Sequence, residues 1–341
     1  MKYPLVSVVI LNWNGGTYAE EAIASVLKQN YPEYELIVVD NGSVDFSLQT
    51  IKDRFKDKLR LIENKANVGF AAGNNIGIRQ ARGEYVALLN NDAVADLSWL
   101  KELVTIAQTD PVIGMCASKV LNYFERDIID TVGHLVYRDG LNRGRGRLEK
   151  DSGQYDNIEE IFFPSGAAAL YRKAMLDEIG LFDEDFFAYG EDADIGIRGK
   201  LAGWKCIYVP KAIAYHRYSA SSFAYSPMKA FFVERNRVWV ALKNFPLAVL
   251  VLSPLYTFKR YFLQTYAVSF KKGAAGKFAA KHSPIYLLYI LFKANLSAMG
   301  KIFIMCKKRR QIKKMTRVSH KEIVSWFHNF EISAAELSLK D

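Results

Sequence analysis

Apolar and polar positions alternate in blocks along the first part of the chain. Short apolar runs at residues 6–11, 35–40, 59–62 and 84–89 are predicted strands, and the run at 84–89 is nearly unbroken. A run without alternation is typical of a strand that is buried on both faces. The segments at 17–29, 47–55 and up to about residue 81 are predicted helices. This order predicts βαβ units and a parallel sheet covered by helices.

Polar residues follow the predicted strands. Asp40 closes the second strand, and Asn90, Asn91 and Asp92 end the run at 84–89. In open α/β sheets, ligands bind in the crevice beyond the carboxyl ends of the strands. Asp92 is therefore expected to hold a hard cation that carries a phosphate-bearing ligand. The alternative is that Asp92 starts a turn or caps a helix that begins near residue 97.

The pattern changes after residue 111. We expect strands at 112–117 and 162–171, a helix at 173–179, and closing strands at 205–209 and 212–216. Residues 120–160 are predicted to be irregular. Their basic, glycine-rich run at 141–147 could contact phosphates, but a mobile, solvated loop is the favoured interpretation. Glu191, Asp192 and Asp194 open a further predicted helix, where the helix dipole favours carboxylates.

Charge divides the chain into two parts. The 341 residues carry a net charge of +10, and half of them are hydrophobic. Residues 1–225 have a balance of −6, whereas residues 226–341 have a balance of +16. A basic segment of this kind binds either nucleic acid or an anionic membrane surface.

Two apolar segments decide between these partners. The segment at 245–258 is short and the one at 284–306 is interrupted by Lys293 and Lys301, so neither suits a spanning helix of about 20 apolar residues. Both are typical of helices that lie in a membrane interface. A polybasic run at 307–310 follows. The aromatic residues do not alternate with basic ones as on a single-strand binding groove, so no nucleic-acid partner is expected.

The three cysteines indicate the compartment. Cys116, Cys206 and Cys306 are far apart and lack metal-ligand spacing, which is typical of structural thiols in a reducing compartment. Residues 1–4 lead directly into the first predicted strand, so no signal peptide is expected.

The candidate crevice contains carboxylates and amides but no nucleophilic cysteine or Ser/His pairing. These groups argue against acyl transfer and suit a nucleotide diphosphate bound through Mg²⁺ or Mn²⁺. One carboxylate then takes a proton from an attacking hydroxyl as a general base. The alternative interpretation of residues 191–194 is N-capping and surface solvation.

Five ordered motifs identify a family resemblance. They are VVILNWN at 8–14, VVDNGS at 38–43, NVGFAAGN at 67–74, LLNND at 88–92 and YGEDAD at 189–194. Over about residues 5–240 the chain resembles the family 2 glycosyltransferases of the GT-A fold, and within them most closely the rhamnosyltransferase-like branch. The resemblance implies inverting transfer of a sugar from a nucleotide-sugar donor, without a covalent intermediate.

The resemblance also implies roles for individual residues. Asp192 matches the general base, with Glu191 as its support, while Asp92 and His216 match the metal ligands. The family's Asp-x-Asp motif has Asn90 at its first position here, which implies weaker metal binding. The residues implied to bind or shape the nucleotide are Asn12, Asn14, Asp40, Asn67, Gly69, Asn74, Asn90 and Asn91. Arg237, in the Arg235-Asn236-Arg237 element, is implied to contact the diphosphate or the acceptor.

We therefore expect the chain to have two domains. Residues 1–225 form the catalytic domain, with a donor half at about 1–115 and an acceptor half at about 116–225. Residues 226–341 form a basic helical region on the inner face of the cell membrane. The expected reaction transfers a sugar, for example L-rhamnose from dTDP-rhamnose, to a polyprenyl-linked or polysaccharide acceptor in cell-surface glycan synthesis. The alternatives are a UDP-hexose or another nucleotide sugar as donor, and a non-catalytic sugar-nucleotide-binding scaffold.

Overall fold

A computed structural model describes residues 3–218 and 225–340 of the chain. The strands in these ranges are β1 (Val6–Asn12), β2 (Tyr34–Asp40), β3 (Arg60–Glu63), β4 (Tyr85–Leu89), β5 (Ala93–Ala95), β6 (Ile113–Asn122), β7 (Ile129–Thr131), β8 (His134–Val136), β9 (Asn142–Gly144), β10 (Glu159–Glu160), β11 (Ala168–Arg172) and β12 (Lys205–His216). The α-helices are α1 (Gly16–Val26), α2 (Ser47–Phe55), α3 (Phe70–Arg79), α4 (Trp99–Ala107), α5 (Lys173–Ile179), α6 (Glu191–Leu201), α7 (Pro227–Asn244), α8 (Leu247–Ser269), α9 (Gly273–Lys281), α10 (Pro284–Gly300), α11 (Ile302–Met315), α12 (His320–Asn329) and α13 (Ala334–Leu339).

The main sheet has the strand order β10-β12-β6-β11-β4-β1-β2-β3. Strands β3, β2, β1 and β4 run parallel, which confirms the predicted parallel sheet. β11 lies antiparallel between β4 and β6, while β12 runs parallel to β6. The sheet is therefore mixed, and the carboxyl ends of β1, β2 and β4 meet at one edge.

Helices cover both faces of the sheet. Helices α1, α2 and α4 bury their apolar stripes against one face, and α3, α5 and α6 pack on the other. Trp99 at the start of α4 is fully buried, and its indole donates to the hydroxyl of Ser118 on β6 at 2.7 Å. This arrangement leaves the strand ends at the sheet edge as the place where loops from both faces converge.

The region at 120–160 differs from its prediction as irregular chain. β6 extends to Asn122, and the short strands β7, β8, β9 and β10 follow it. In the run at 141–147, Arg145 forms an ion pair with Glu159 and Arg147 pairs with Asp130. The interpretation of this run as a mobile, solvated loop was therefore wrong, because long-range ion pairs fix its arginines.

Two predicted strand boundaries were also wrong. The apolar segment at 162–171 is a strand only from residue 168, since residues 162–167 form a loop. The two predicted closing strands are one strand, β12, whose register with β6 shifts between Val209 and Ile213. Pro210 lies within this shift and has no N–H to donate to the ladder. A proline break in the pattern was thus mistaken for the end of a strand.

The carboxyl-terminal helices share a core with the rest of the chain. Phe162, Phe163 and Phe186 pack with Trp239 of α7 and Trp326 of α12 in one cluster of buried residues. The compositional break after residue 225 is therefore bridged by a continuous apolar core. The division into domains at residue 225 stays a prediction from the sequence.

The outer surfaces of α8 and α10 are apolar. On α8 an exposed stripe runs through Leu255, Phe258 and Phe262, and Phe258 is 73% exposed. Helix α10 exposes Leu288 and Phe292 in the same way. Among the described residues, no single helix is long and apolar enough to cross a membrane, although Pro284–Gly300 and Ile302–Met315 pass that test jointly across a 60° bend.

Candidate active site

One cavity of about 770 Å³ opens at the carboxyl ends of the sheet strands. Small-molecule sites commonly enclose roughly 300–1,000 Å³. The predicted site residues that line this cavity are Asn67, Gly69, Asn90, Asn91, Asp92, Glu191, Asp192, His216 and Arg237. The fold thus brings together residues that are widely separated in the sequence.

Asp92 and His216 meet because of strand pairing. Asp92 follows β4 and directly precedes β5, and β5 pairs with β12 so that Ala93 faces His216. Nε2 of His216 lies 3.2 Å from Oδ1 of Asp92, and both side chains are buried. Oδ1 of Asp92 accepts no well-aligned hydrogen bond. The sequence-based prediction that these two residues act at one place therefore has a matching geometry.

Asp130, which the sequence did not indicate, holds the other side of the imidazole. Its Oδ2 lies 2.7 Å from Nδ1 of His216, and its Oδ1 accepts a hydrogen bond of 2.7 Å from Arg147. Because a carboxylate only accepts, Nδ1 of His216 carries a proton. Nε2 is thereby directed at Asp92, and the half-buried Arg147 and the buried Asp130, His216 and Asp92 form one series of contacts.

The protonation of this series follows from its charges. Burial alone lowers the pKa of His216, but the carboxylates of Asp92 and Asp130 raise it to about 10. Burial also opposes ionisation of both carboxyl groups, yet the neighbouring imidazolium lowers the pKa of each below its usual value. Without a cation, His216 is thus an imidazolium ion held between two carboxylates.

The donor set fits a divalent cation. Within residues 3–218 and 225–340, no cluster of three or more His, Cys, Asp or Glu side chains is arranged to hold a metal ion. Asp92 and His216 instead offer two ligands, one of them a buried oxygen that accepts no well-aligned hydrogen bond. Mg²⁺ is commonly held by one or two carboxylates, with waters and substrate phosphates completing its shell, and imidazole is a ligand that transition metals accept.

Changing Asp130 tests this arrangement. Asp130→Asn is expected to weaken Mn²⁺ binding roughly 10–100-fold, because outer-shell carboxylates orient a ligating histidine and raise its basicity. Isothermal titration of the purified protein with Mn²⁺ measures this directly. Asp127→Asn, which changes an exposed carboxylate just before β7, is the matched control. Equal Mn²⁺ affinity in both variants would contradict the role of Asp130.

Glu191 and Asp192 begin α6 at the cavity wall. Glu191 is buried and its Oε2 has no hydrogen-bond partner. Burial and the adjacent Asp192 carboxylate raise the pKa of Glu191 well above its usual value. Both carboxylates line the cavity, and Asp192 is the more exposed of the two.

The loop before α6 is held from α7. Phe187, Tyr189 and Gly190 have φ of 65°, 67° and 84°, a left-handed conformation that is costly for the two aromatic residues. The Nδ2 of Asn236 donates to the carbonyl oxygens of residues 186, 188 and 189 at 3.0, 2.8 and 2.6 Å. The Arg235-Asn236-Arg237 element thus fixes the backbone that presents Asp192.

Asp194, the third carboxylate of the predicted cluster, turns away from the cavity. It is fully buried and pairs with Arg198 at 2.9 Å and with Lys243 at 2.7 Å. Burial alone would raise the pKa of Asp194, but these cations lower it far below its usual value. Asp194 therefore anchors α6 to α7. Of the three carboxylates, only those of Glu191 and Asp192 reach the cavity.

The predicted nucleotide residues fall into two groups. Asn67, Gly69, Asn90 and Asn91 line the cavity, while Asn14 lines a smaller adjoining cavity of about 210 Å³ that also reaches Asp92. Contact of these residues with a nucleotide stays a prediction. Their placement around Asp92 is compatible with it.

Three other predicted nucleotide residues are buried within the protein. Asn12 donates to Oδ1 of Asp40 at 2.8 Å, and both side chains are fully buried. Asn74 donates to the carbonyl oxygen of Phe70 at 2.9 Å inside α3. Asn12 and Asp40 therefore hold each other at the ends of β1 and β2, and Asn74 bonds within its own helix. Direct contact of any of them with a nucleotide stays a prediction.

Arg237 lines the cavity, but its N–H groups donate to other protein groups. Its Nε donates to Glu234 at 2.6 Å, and its other nitrogens reach the Asp139 carbonyl, Thr257, Tyr261 and Asn295. The guanidinium is therefore a junction between α7, α8 and α10. In this geometry Arg237 has no free N–H group for the implied contact with the diphosphate.

Comparisons with known proteins match part of the chain to a known family. Residues 7–180, slightly more than half of the chain, match the sequence profile described as Glycosyl transferase family 2. An uncharacterized glycosyltransferase of Haemophilus influenzae is 34% identical over 115 residues, which are 33% of this chain and 36% of that protein.

Two relatives with descriptive names match over longer regions. The O-antigen biosynthesis protein RfbC of Myxococcus xanthus is 27% identical over 228 residues, which are 64% of this chain and 18% of that protein. The poly-beta-1,6-N-acetyl-D-glucosamine synthase of Staphylococcus epidermidis is 25% identical over 211 residues, 62% of this chain and 49% of that protein. The chain therefore spans less than two thirds of each of these relatives.

Solved structures of glycosyltransferases share the fold. The mannosyltransferase PcManGT of Pyrobaculum calidifontis, in complex with GDP-Man and Mn²⁺, superposes with a TM-score of 0.52 at 16% identity and covers 89% of this chain and 88% of its own. S. aureus TarS 1–349 in complex with UDP gives a TM-score of 0.52 at 20% identity, with 90% and 91% covered. At these identities the likeness shows the fold alone, a mixed α/β fold of the GT-A type.

Proposed function

The chain belongs to glycosyl transferase family 2, and we propose on this basis that it transfers a sugar from a nucleotide-sugar donor to an acceptor hydroxyl, with inversion at the anomeric carbon. The observation that carries the proposal is the cavity that joins the Asp92–His216 pair to Asp192. A site for the donor diphosphate and a candidate base thus face one space. An inverting transfer needs both within reach of the same reacting sugar.

Asp192 is the proposed general base. Its carboxylate takes the proton of the acceptor hydroxyl as that oxygen attacks the anomeric carbon. Glu191 beside it is buried, and burial and the Asp192 carboxylate raise the pKa of Glu191 well above its usual value. The loop held by Asn236 fixes where this carboxylate points. The protein's own part in the step is therefore orientation and removal of one proton.

Asp92 and His216 are the proposed metal ligands, with Asp130 orienting the imidazole. A bound Mg²⁺ or Mn²⁺ would offset the negative charge that develops on the departing nucleoside diphosphate. The replacement of the first motif carboxylate by Asn90 removes one anionic ligand. The proposal is supported by the similar fold of PcManGT, whose structure contains Mn²⁺.

The donor and acceptor follow from the resemblance and the relatives. We propose a deoxyhexose donor such as dTDP-L-rhamnose, with a UDP-hexose or another nucleotide sugar as the alternative. The acceptor is a glycan, either polyprenyl-linked or polysaccharide, in cell-surface glycan synthesis. The similarity to the named O-antigen and poly-N-acetylglucosamine proteins supports this setting.

A thermal-shift panel tests donor binding. A ligand that binds only the folded state raises the apparent stability, so UDP-, dTDP- and GDP-sugars are compared with Mn²⁺, with Mg²⁺ and with EDTA. One nucleotide class is expected to raise the Tm, and EDTA is expected to reduce the shift. No shift with any donor would contradict nucleotide-sugar binding.

A peripheral position on the inner face of the cell membrane is the second part of the proposal. The exposed apolar stripes of α8 and α10 support it, as does the basic balance of residues 226–341. Contiguous exposed apolar surface commonly marks an interaction site. An apolar face together with basic residues gives stable but reversible attachment to anionic lipid.

The polybasic run contributes to attachment only in part. Lys308 donates to Asp183 at 2.5 Å and to Asp185 at 2.6 Å, and Arg309 donates to the Leu242 carbonyl. Lys308 therefore holds α11 to the catalytic part, and Arg309 holds it to α7. Lys307 and Arg310 on the same helix remain exposed, as do Lys313 and Lys314 further along it.

Replacing the four exposed residues tests the attachment. Changing Lys307, Arg310, Lys313 and Lys314 to Gln is expected to weaken binding to anionic liposomes, because each basic residue near such a surface contributes about 1 kcal/mol. Binding to neutral liposomes should change little. The control changes four exposed lysines of the catalytic part to Gln, namely Lys28, Lys56, Lys65 and Lys101. Equal losses in both variants in a sedimentation assay would contradict the proposed surface.

A further inference from the structure

The active-site cavity continues into the carboxyl-terminal helices. Beyond the carboxylates it is lined by Val233 of α7, Ala275 and Phe278 of α9, Leu287 and Leu291 of α10, and Leu337 of α13. The roles derived above use none of these six side chains. They form an apolar compartment in direct continuity with the space that Asp192 faces.

The aliphatic lining bears on what can bind there. Sugar hydroxyls buried against leucine, valine and alanine lose water without gaining hydrogen bonds, which is costly. A hydrocarbon chain in the same place loses only unfavourable contact with water. The compartment is therefore matched to an apolar part of a substrate and not to further sugar rings of a polysaccharide.

Cationic side chains accompany the apolar ones. Arg143 and Lys340 both line the cavity, and Nη1 of Arg143 donates to the Lys340 carbonyl at 2.8 Å and to the Glu336 carbonyl at 3.2 Å. These contacts place the guanidinium beside α13. Lys229, near the start of α7, lines the cavity as well. Cations beside an apolar compartment complement a ligand that carries phosphate and hydrocarbon together.

The walls of the compartment lead towards the exposed apolar surface. On α10, Leu287 and Leu291 line the cavity, whereas the neighbouring Leu288 and Phe292 are 65% and 68% exposed. One helix therefore carries apolar side chains on both its cavity face and its outer face. A hydrocarbon chain that enters from a lipid surface therefore passes only this layer of helices.

We propose that this compartment binds the hydrocarbon chain of a lipid-carried acceptor, so that the acceptor is a glycosylated lipid phosphate. The inference rests on the proposed glycosyl transfer and decides between its two acceptor classes. In this arrangement the acceptor sugar faces Asp192, and its phosphate lies among the cationic side chains that line the cavity. The first part of the hydrocarbon chain packs among α9, α10 and α13.

The test uses the full-length protein in detergent with the donor that the thermal-shift panel selects. Two acceptors with the same sugar are compared, one a polyprenyl-phosphate glycoside and the other a glycoside without a chain. Each buried methylene is expected to lower KM about fourfold. The chain-bearing acceptor is therefore expected to have a KM at least ten times lower. Equal KM values for the two acceptors would overturn the inference.

A variant that fills the compartment separates binding of the chain from a general effect of detergent. Ala275→Trp is expected to raise KM for the chain-bearing acceptor at least tenfold and to leave the chain-free acceptor unchanged. Ala280→Trp, on the exposed side of the same helix, is the control and should resemble the wild type. A circular dichroism spectrum confirms that both variants fold. If Ala275→Trp affects both acceptors equally, the compartment does not bind the chain.

Failure of the underlying function has a different signature. If the protein is not a glycosyltransferase, the wild type releases no nucleoside diphosphate with either acceptor. If only the inference is wrong, the wild type turns over both acceptors with similar KM values.

Discussion

Asp192→Asn is expected to lower kcat by roughly 10²–10⁴-fold, the contribution typical of a positioned general base. The amide keeps the size of the side chain but cannot take the proton of the acceptor hydroxyl. Donor affinity should stay nearly unchanged, because Asp192 acts on the acceptor and not on the nucleotide. An interaction made only in the transition state lowers kcat and kcat/KM equally, so steady-state rates of nucleoside diphosphate release measure the effect.

Two controls accompany this variant. Asp177→Asn changes an exposed carboxylate of α5 and should leave kcat unchanged. The thermal shift of Asp192→Asn with the donor should match that of the wild type, which shows that the site still forms. Turnover close to the wild-type rate would remove Asp192 from the role of base.

Removing either proposed metal ligand has the second large effect. Asp92→Ala or His216→Ala is expected to weaken Mn²⁺-dependent donor binding at least about 100-fold, because even loss of an outer-shell partner costs roughly 10–100-fold. The double variant should lose much less free energy of donor binding than the two single variants lose together. Groups that serve one ligand are coupled in this way, and a double-mutant cycle measures the coupling.

The control for this cycle is His328→Ala, an exposed histidine of α12, which should bind the donor with Mn²⁺ as the wild type does. Strict additivity of the Asp92 and His216 losses would mean that the two side chains do not share an ion. Transfer at full rate by protein freed of metal with EDTA would reject the metal role itself.

Local patterns predicted the parts of the fold that local physics determines. The helices Ser47–Phe55 and Lys173–Ile179 have the predicted bounds, and the strands before Asp40 and Asn90 end as expected. In these segments hydrophobic periodicity and the polar strand ends agree with the final packing. The convergence of Asp92 and His216 depends on the pairing of β5 with β12, and only the family resemblance indicated it.

The missed features depend on contacts between distant parts of the chain. Asp130 lies 86 residues from His216 in the sequence and in a region without a clear period, so no local signal marked it. Lys308 was read as surface charge, because its partners Asp183 and Asp185 are more than 120 residues away. Asp40 is also held by a distant residue, since Asn12 donates to its Oδ1, and its contact with a nucleotide stays a prediction.

Catalysis of glycosyl transfer, as opposed to mere binding of a sugar nucleotide, is what distinguishes the proposed function from its main alternative. The most direct measurement is the initial rate of nucleoside diphosphate release by the purified full-length protein with its stabilising donor, Mn²⁺ and a polyprenyl-phosphate glycoside. The account predicts release that requires the acceptor, falls with EDTA and is nearly abolished in Asp192→Asn. Donor binding with no acceptor-dependent release would contradict it and would make the protein a sugar-nucleotide-binding scaffold.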